Sequence, residues 1–284
     1  MERIERALEV ARLHRHRMAE AGAAPFVAEA AVAEVPPPSP VHLDIAAGPR
    51  PSARIEDAPL AQIASRDELR ERYVIFPDEP GSAALAYKML RTQVLQRARQ
   101  HGMRCIGVIS AANGEGKTVT AVNLALSLAA DPAQSVILVD LDLRRPSIAG
   151  VLGIVTDQGI EKTLTSESPE SALRRCAGVE RLAILPALAP LPDSAEILAG
   201  HAATALMKAL RAASGEPLIV VDLPPALLSA DVLAFAPQLD AVVLVVTEER
   251  TRREDLQRVF ELLRATPVLG TVLNASSDAE KRNY

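Results

Sequence analysis

The chain has 284 residues, enough for one domain of about 200 residues with extensions. Hydrophobic residues make up 49% and aromatic residues only 2%, which predicts a large aliphatic core. The net charge of −5 argues against a general nucleic-acid binder, and no run approaches the roughly 20 apolar residues that cross a bilayer. The two cysteines, Cys105 and Cys176, have neither metal-site spacing nor a disulfide framework.

The first 80 residues form two segments that differ in composition. Residues 1–20 predict a charged helix, which is either solvated or docks onto a membrane partner or an anionic surface. Residues 21–80 are rich in Ala and Pro around Pro36-Pro37-Pro38-Ser39-Pro40, which predicts a semi-stiff linker. The charged start lacks a secretory hydrophobic region, so we expect a cytoplasmic protein.

Residues 81–284 predict an α/β domain that ends in a short polar tail. A helix at 82–100 has a stripe of apolar residues, namely Ala83, Tyr87, Leu90 and Val94. Strands are predicted near 105–110, 136–140, 182–186, 218–222, 241–246 and 268–273, and the clearest further helices at 118–130 and 252–264. Strands that alternate with helices predict a mainly parallel sheet with helices on both faces.

A glycine-rich turn joins the first of these strands to the following helix. It runs from Ser110 and ends in Gly116-Lys117-Thr118, a pattern by which P-loop NTPase-like proteins hold nucleotide phosphates. We expect Lys117 to reach the β- and γ-phosphates and Thr118 to bind Mg²⁺. The usual pattern begins with glycine where this chain has Ala111. The alternative is a polar strand-to-helix turn that contains Gly-Lys-Thr by chance.

Two later strands also end in carboxylates. Asp140 and Asp142 follow the apolar run at 136–139, and Asp222 follows the run at 218–221. Open α/β sheets bind ligands at the carboxyl ends of their strands, where aspartates can hold Mg²⁺ or orient an attacking group. Alone, each aspartate could equally be a solvated strand end. Three such motifs in this order favour a nucleotide site.

These residues resemble a known family. The Gly-Glu-Gly-Lys-Thr loop, the Val-Asp-Leu-Asp-Leu-Arg-Arg-Pro string and the Asp-Leu-Pro-Pro segment are similar to those of bacterial tyrosine kinases from exopolysaccharide gene clusters. The N-terminal segment resembles the branch associated with exosortase loci. The resemblance implies ATP and Mg²⁺ as cofactors. It implies that Lys117, Asp140 and Asp142 are catalytic and that Asp140 would activate the tyrosine hydroxyl. It implies metal contacts from Thr118, Asp142 and Asp222. The residues implied to contact the nucleotide are Asn113, Gly114, Glu115, Gly116, Lys117, Thr118, Val119 and Asn274.

The chain departs from that family at three places. A Glu-x-x-Arg-x-x-Arg pattern that joins subunits is here Leu85, Lys88 and Arg91, so homo-oligomer assembly by this route is in doubt. The additional lysine of Min and Par partition ATPases is Ala112, which favours the kinase branch. A terminal tyrosine cluster is missing, and Tyr284 is the candidate phosphoacceptor.

The sequence therefore favours a cytoplasmic ATP-dependent tyrosine autokinase that regulates exopolysaccharide polymerisation and export. The resemblance implies a separate membrane-bound chain-length regulator as partner, with peripheral placement at the inner membrane. The alternative is an ATPase switch that regulates such a partner without phosphorylating tyrosine, which the sparse tyrosines favour. A scaffold with a decayed site is the third hypothesis, and the retained Lys117 and Asp222 argue against it.

Overall fold

The structure, a computed structural model, describes residues 55–165 and 169–276. Its described strands form one eight-stranded sheet in the order β1-β4-β5-β3-β6-β2-β7-β8. The strands are β1 Leu60–Ala61, β2 Cys105–Ser110, β3 Val136–Asp140, β4 Arg174–Cys176, β5 Val179–Leu185, β6 Leu218–Asp222, β7 Ala241–Thr247 and β8 Val268–Asn274. Only the β4–β5 pair is antiparallel among these described strands.

Helices cover the sheet between its strands. The described helices are α1 Arg66–Glu71, α2 Ser82–His101, α3 Lys117–Ala129, α4 Ile148–Leu152, α5 Ile160–Thr165, α6 Pro169–Ala172, α7 Ser194–Ala199, α8 His201–Arg211, α9 Asp231–Phe235 and α10 Arg253–Leu262. Short 3-10 turns occur at Ile55–Asp57 and Ala236–Gln238. Within the described ranges, none of these helices has both the length and the apolar content that spanning a membrane requires.

The core has two layers because successive side chains of a strand point to opposite faces of the sheet. In β3, Val136 and Leu138 pack with α2, α3 and α4, whereas Ile137 and Val139 pack with α7, α8 and α9. Strands β2, β3 and β6 are buried along their whole length. This explains their continuous apolar runs, which are typical of a parallel sheet covered on both faces.

The predicted fold class is confirmed, and the six predicted strands are present. The strand predicted at 182–186 begins earlier, at Val179. One detail of the predicted α2 stripe is wrong, because Ala83 is exposed and the adjacent Ala84 is buried. Alanine at both positions fits a helical period, so the sequence alone could not choose between them. Tyr87 of the same stripe is half-buried.

Residues 55–80, part of the predicted linker, carry secondary structure. Strand β1 pairs with β4, and Ser65 begins α1 through a capping box with Glu68. Leu69, Val74 and Phe76 are buried in the core layer that contains α2 and α3. The division into three domains stays a prediction, since residues 1–54 and the tail at 277–284, which contains Tyr284, lie outside the described residues.

Candidate nucleotide site

The glycine-rich loop lies between the end of β2 and the start of α3, as the sequence predicts. Asn113 and Gly114 are exposed at its tip, and Thr118 and Val119 belong to the first turn of α3. Gly114 has φ +73° and Gly116 has φ +82°, a conformation that a side chain disfavours. A Cβ on Gly116 would also lie 2.0 Å from Nδ2 of Asn274. Both glycines are therefore required by the backbone of the loop.

Glu115 braces the loop from inside. Its carboxylate is buried; Oε2 accepts a hydrogen bond from the Ala112 amide at 2.8 Å, and Oε1 accepts one from the Thr251 hydroxyl. The Glu115 carbonyl accepts hydrogen bonds from Thr247 Oγ1 and Asn274 Nδ2, both at 3.1 Å. Asn274 thus contacts the loop in this conformation, and its predicted contact with the nucleotide stays a prediction.

The sequence did not single out the residues of the β7–α10 segment that contact this loop. Thr247 and Thr251 hold Glu115, and Arg250 Nη1 donates a hydrogen bond to the Gly114 carbonyl at 3.0 Å. Because β7 is parallel to β2 and adjacent to it, the carboxyl ends of both strands lie at one edge of the sheet. The polar residue that ends β7 was the available signal in the sequence.

Charged side chains from the start of α3 and from the ends of β3 and β6 meet beside the loop. Lys117 Nζ lies 2.6 Å from Asp142 Oδ2 and 3.6 Å from Asp222 Oδ1. The Thr118 hydroxyl donates a hydrogen bond to Asp222 Oδ2 at 2.6 Å. Asp140 and Asp222 end the paired strands β3 and β6 in direct register. The predicted convergence of Lys117, Thr118, Asp140, Asp142 and Asp222 is therefore present.

Asp140 is fully buried and organises the turn after β3. Its Oδ2 accepts hydrogen bonds from the Ser147 and Ile148 amides, both at 3.0 Å, and its Oδ1 accepts one from the Asp142 amide at 3.2 Å. These bonds link β3 to the start of α4 and hold Asp142 in place. The role predicted for Asp140 at a tyrosine hydroxyl is not tested by these contacts and stays a prediction; in this conformation the carboxylate faces backbone amides.

Burial sets the electrostatics of the cluster. It raises the pKa of Asp140 to about 8, helped by the charge of Asp222, and raises the pKa of Asp222 to about 6 against the opposing charge of Lys117. Burial opposes the charge of Lys117 as well, but Asp222 and Asp142 outweigh it and raise the pKa of the ammonium group. A cation beside these carboxylates stabilises their charged forms.

The donor set fits Mg²⁺. Asp222 Oδ1 is buried and accepts no hydrogen bond from the described residues, while its Oδ2 lies beside the Thr118 hydroxyl. Mg²⁺ prefers oxygen ligands and is commonly held by one or two carboxylates together with substrate phosphates. Thr118 and Asp222 match that pattern. Asp142 Oδ2 lies 2.6 Å from Lys117 Nζ in this conformation, and its predicted contact with the metal stays a prediction.

A cleft of about 360 Å³ adjoins the loop on the side of β3, β5 and β6. Asn113 and Asp142 border it, and its other walls come from Arg144, Arg145, Pro190, Leu191, Pro192, Pro224, Pro225, Leu228 and Ser229. Arg144 Nε lies 3.2 Å from Ser194 Oγ and 3.4 Å from Asp231 Oδ1, and both partners are fully buried. The cleft therefore begins where the loop and the carboxylates meet.

The family model for ParA proteins, described as NUBPL iron-transfer P-loop NTPase, matches residues 102–282. This chain belongs to the ParA family of P-loop NTPases. The match spans the glycine-rich loop, both acidic strand ends and Asn274. The mainly parallel sheet and the glycine-rich loop between β2 and α3 are typical of P-loop NTPases.

Relatives of this ParA-family chain include proteins named as kinases and a protein of polysaccharide biosynthesis. Tyrosine-protein kinase YwqD of Bacillus subtilis (strain 168) is 27% identical over 223 residues, which are 78% of this chain and 93% of YwqD. The succinoglycan biosynthesis transport protein ExoP of Rhizobium meliloti (strain 1021) is 33% identical over 189 residues, 64% of this chain but 23% of ExoP. The crystal structure of the VpsO kinase domain has a TM-score of 0.61 and 29% identity, and the match covers 69% of this chain and 96% of that domain.

These relatives confirm the resemblance to bacterial tyrosine kinases. The finer assignment to the exosortase-associated branch stays a prediction. In the subunit-joining pattern, Leu85 is exposed and Arg91 Nη1 donates a hydrogen bond to the Ser127 carbonyl of the same chain at 3.2 Å. Arg91 is thus engaged inside this ParA-family domain, and the oligomeric state stays a prediction.

The cysteines of this ParA-family chain do not fit the iron transfer in the name of the matching model. Cys105 lies in β2 and Cys176 in β4, two strands that are not neighbours in the sheet. Burial raises the pKa of each thiol to about 12, and thiolates are the ligands of iron–sulfur clusters. No group of three His, Cys, Asp or Glu side chains in the described part of the chain is arranged to hold a metal ion, so Mg²⁺ at Thr118 and Asp222 would take its other oxygen ligands from phosphate or water.

Proposed function

We propose that this protein is an ATP-dependent protein tyrosine kinase that regulates exopolysaccharide polymerisation and export. The observation that carries the proposal is the convergence of Lys117, Thr118, Asp142 and Asp222 behind the glycine-rich loop. Phosphoryl transfer depends mainly on positioning and on neutralising charge, and this set of groups supplies both. The names of YwqD and of the VpsO kinase domain support the kinase activity, and the name of ExoP supports the polysaccharide context.

In the proposed reaction, the phenolic oxygen of tyrosine forms a bond to the γ-phosphorus of ATP. The bond from that phosphorus to the β–γ bridging oxygen breaks, ADP leaves, and the phenolic proton passes to a carboxylate. Lys117 pairs with Asp142 in the described conformation. The phosphates of ATP compete for the same ammonium group, so nucleotide binding would release Asp142. Thr118 and Asp222 would hold Mg²⁺, which would supply positive charge to neutralise the phosphates.

The two remaining carboxylates take different parts in the proposal. Asp142 borders the cleft; its Oδ1 accepts a hydrogen bond from the Arg145 amide at 3.2 Å, and its Oδ2 pairs with Lys117, an ammonium group that the phosphates of ATP would draw away. Both oxygens of Asp140 accept hydrogen bonds from backbone amides, which ATP would not displace. We therefore propose Asp142 for the hydrogen bond to the tyrosine hydroxyl, in place of Asp140. Asp140 then acts as a positioning residue that holds the turn between β3 and α4.

The test is the fate of labelled phosphate after purified protein is incubated with γ-labelled ATP and Mg²⁺. We expect label on tyrosine with the native chain and at least about a hundredfold less with Lys117→Met, which loses the charge that stabilises the transferring group. Lys208→Met, at an exposed lysine of α8, is the matched control and should keep native activity. Circular dichroism checks that each variant is folded. Phosphotyrosine formed by Lys117→Met at the native rate would refute the assignment.

A second candidate function is an ATPase switch, favoured by the small number of tyrosines. The chain has three, of which Tyr73 is exposed, Tyr87 is half-buried and Tyr284 lies outside the described residues. The same experiment separates the two functions. Label that appears only as free phosphate, with and without a tyrosine peptide, supports the switch.

In either case we propose a membrane-bound polysaccharide co-polymerase as the partner, which would bring the protein to the inner membrane.

A further inference from the structure

The cleft beside Asn113 and Asp142 has apolar, rigid walls. Four of its lining residues are prolines (Pro190, Pro192, Pro224 and Pro225), and two are leucines, Leu191 and Leu228. Proline has a fixed φ and no amide hydrogen, so these walls present apolar surface that is already ordered before a ligand binds. Leu228 is 55% exposed and offers a further apolar contact. Such walls suit a flat apolar group better than a phosphate or a sugar.

The position of the cleft relates it to the reaction. The loop contacts Thr247 and Asn274 on the side of β7 and β8, and the cleft opens on the opposite side, over β3, β5 and β6. Asp142, which is paired with Lys117, borders the cleft. A hydroxyl group held at this end of the cleft would therefore be next to the groups that bind the phosphates.

The rim of the cleft is cationic. Arg144 and Arg145 are exposed, and among the described residues that line the cleft the only acidic side chain, Asp142, is 3% exposed and paired with Lys117. Arg144 is held by its Nε atom against Ser194 and the buried Asp231. A guanidinium group with a fixed position loses less freedom when it binds a carboxylate.

We propose that this cleft, defined by the lining residues given above, is the acceptor site for a tyrosine side chain whose peptide carries an acidic residue next to the tyrosine. The aromatic ring packs between the proline rings and Leu228, the hydroxyl group reaches Asp142, and Arg144 binds the neighbouring carboxylate. The proposal rests on the proposed kinase function and adds the preferred class of substrate to it.

The experiment measures steady-state kinetics of the full chain with two synthetic peptides that differ only in Glu or Lys beside one tyrosine. We expect Leu228→Lys to raise the KM for the Glu peptide by roughly tenfold, because the ring loses apolar contact, and to leave ATP hydrolysis without peptide unchanged. Leu60→Lys is the matched control, since Leu60 is 54% exposed and lies on the edge strand β1. It should change neither value.

Arg144→Gln tests the rim in the same assay. The native chain should prefer the Glu peptide in kcat/KM by about threefold, as expected for a partly exposed ion pair, and Arg144→Gln should remove that preference through KM alone. If Leu228→Lys fails to fold, Leu228→Ala replaces it, with a smaller rise in KM in the same direction.

The outcomes separate this proposal from the proposed function. Native kinetics in Leu228→Lys, or a raised KM for ATP with an unchanged KM for peptide, would overturn the acceptor site while leaving the kinase intact. A preference for the Lys peptide would overturn the role of Arg144. A native chain that binds ATP but phosphorylates neither peptide nor itself would overturn both proposals together.

Discussion

At the scale of single residues, the conformation of Gly116 controls the candidate site. Its positive φ turns the chain from the loop into α3, and the absence of a side chain lets Asn274 reach the Glu115 carbonyl. The exposed glycine at the end of α2, Gly102, has a similar φ of +63° but no atom within 4 Å of a Cβ at that position. Alanine substitutions at the two glycines therefore separate the effect of backbone strain from the effect of steric crowding.

We predict that Gly116→Ala lowers the affinity for ATP by tenfold or more and destabilises the fold by about 1–2 kcal/mol. The strain comes from the left-handed backbone, and the added methyl group displaces Asn274 from the loop. Calorimetric titration with ATP·Mg²⁺ measures the affinity, and urea unfolding measures the free energy of unfolding.

Gly102→Ala is the control for the same measurements. It should cost about 1 kcal/mol of stability through strain and leave the affinity for ATP unchanged. Equal ATP affinities in the two variants would show that Asn274 and the loop conformation are unimportant for binding.

At the scale of secondary-structure elements, the sequence predicted those that carry a long local signal. Strands β2, β3 and β6 are continuous apolar runs, and the Gly116-Lys117-Thr118 string marks the start of α3. Strand β4 has the sequence Arg174-Arg175-Cys176, which has no apolar alternation, so its pairing with β5 across the turn at Gly178 and with β1 defines it.

The same reasoning explains what the sequence predicted of the site. Lys117, Asp140, Asp142 and Asp222 follow recognisable strand ends, so their convergence was predictable from a parallel sheet. Thr247 and Thr251, which brace the loop, lie more than a hundred residues along the chain, and the only local signal for them is the polar residue that ends β7. Nor could the sequence show that backbone amides occupy the carboxylate of Asp140.

Helix α3 connects the candidate site to residues 73–75, which precede α2 in the chain. Asn123 is buried; its Oδ1 accepts a hydrogen bond from the Ile75 amide at 2.8 Å and its Nδ2 donates one to the Tyr73 carbonyl at 2.9 Å. We predict that Asn123→Ala lowers the free energy of unfolding by about 2 kcal/mol, because two buried backbone groups lose their partner. ATP affinity should be unchanged. Urea unfolding and calorimetric titration provide the two measurements.

Ser127→Ala is the matched control on the same helix. Ser127 is equally buried but makes one side-chain hydrogen bond, to the Tyr87 carbonyl at 3.1 Å. Its removal should cost less than about 1 kcal/mol, since alanine is also the better helix former. If Asn123→Ala is no less stable than Ser127→Ala, residues 73–75 are not anchored by Asn123.

At the scale of the whole molecule, the phosphate loop and the cleft lie over different strands of the sheet. The phosphate loop follows β2 in the middle of the sheet, the residues that brace it end β7 and β8, and the cleft lies over β3, β5 and β6. The far edge of the sheet is formed by β1, which pairs with β4. Residues 55–80 thus contribute a strand at the edge of the sheet, away from the candidate nucleotide site.

This arrangement predicts that residues 55–80 are needed for a stable domain. A chain that begins at residue 55 should unfold in one cooperative transition. A chain that begins at residue 81 lacks Leu69, Val74 and Phe76, each worth about 1.5–3 kcal/mol when buried, and loses the partner of β4. The summed loss of roughly 5–9 kcal/mol is comparable to the whole stability of a typical domain. Urea unfolding followed by circular dichroism compares the two chains.

Phe76→Ala in the longer chain checks that the effect comes from packing. Phe76 is 4% exposed, so its truncation should cost about 3–5 kcal/mol and leave a single transition at lower urea. The composition of residues 21–80 alone predicts the opposite result, namely equal stability of the chains that begin at 55 and at 81. Equal urea midpoints for the chains that begin at 55 and at 81 would therefore favour a linker up to residue 80 and contradict the packing of this segment against α2 and α3. Loss of the cooperative transition in the chain that begins at 81 would show that the domain extends back to residue 55.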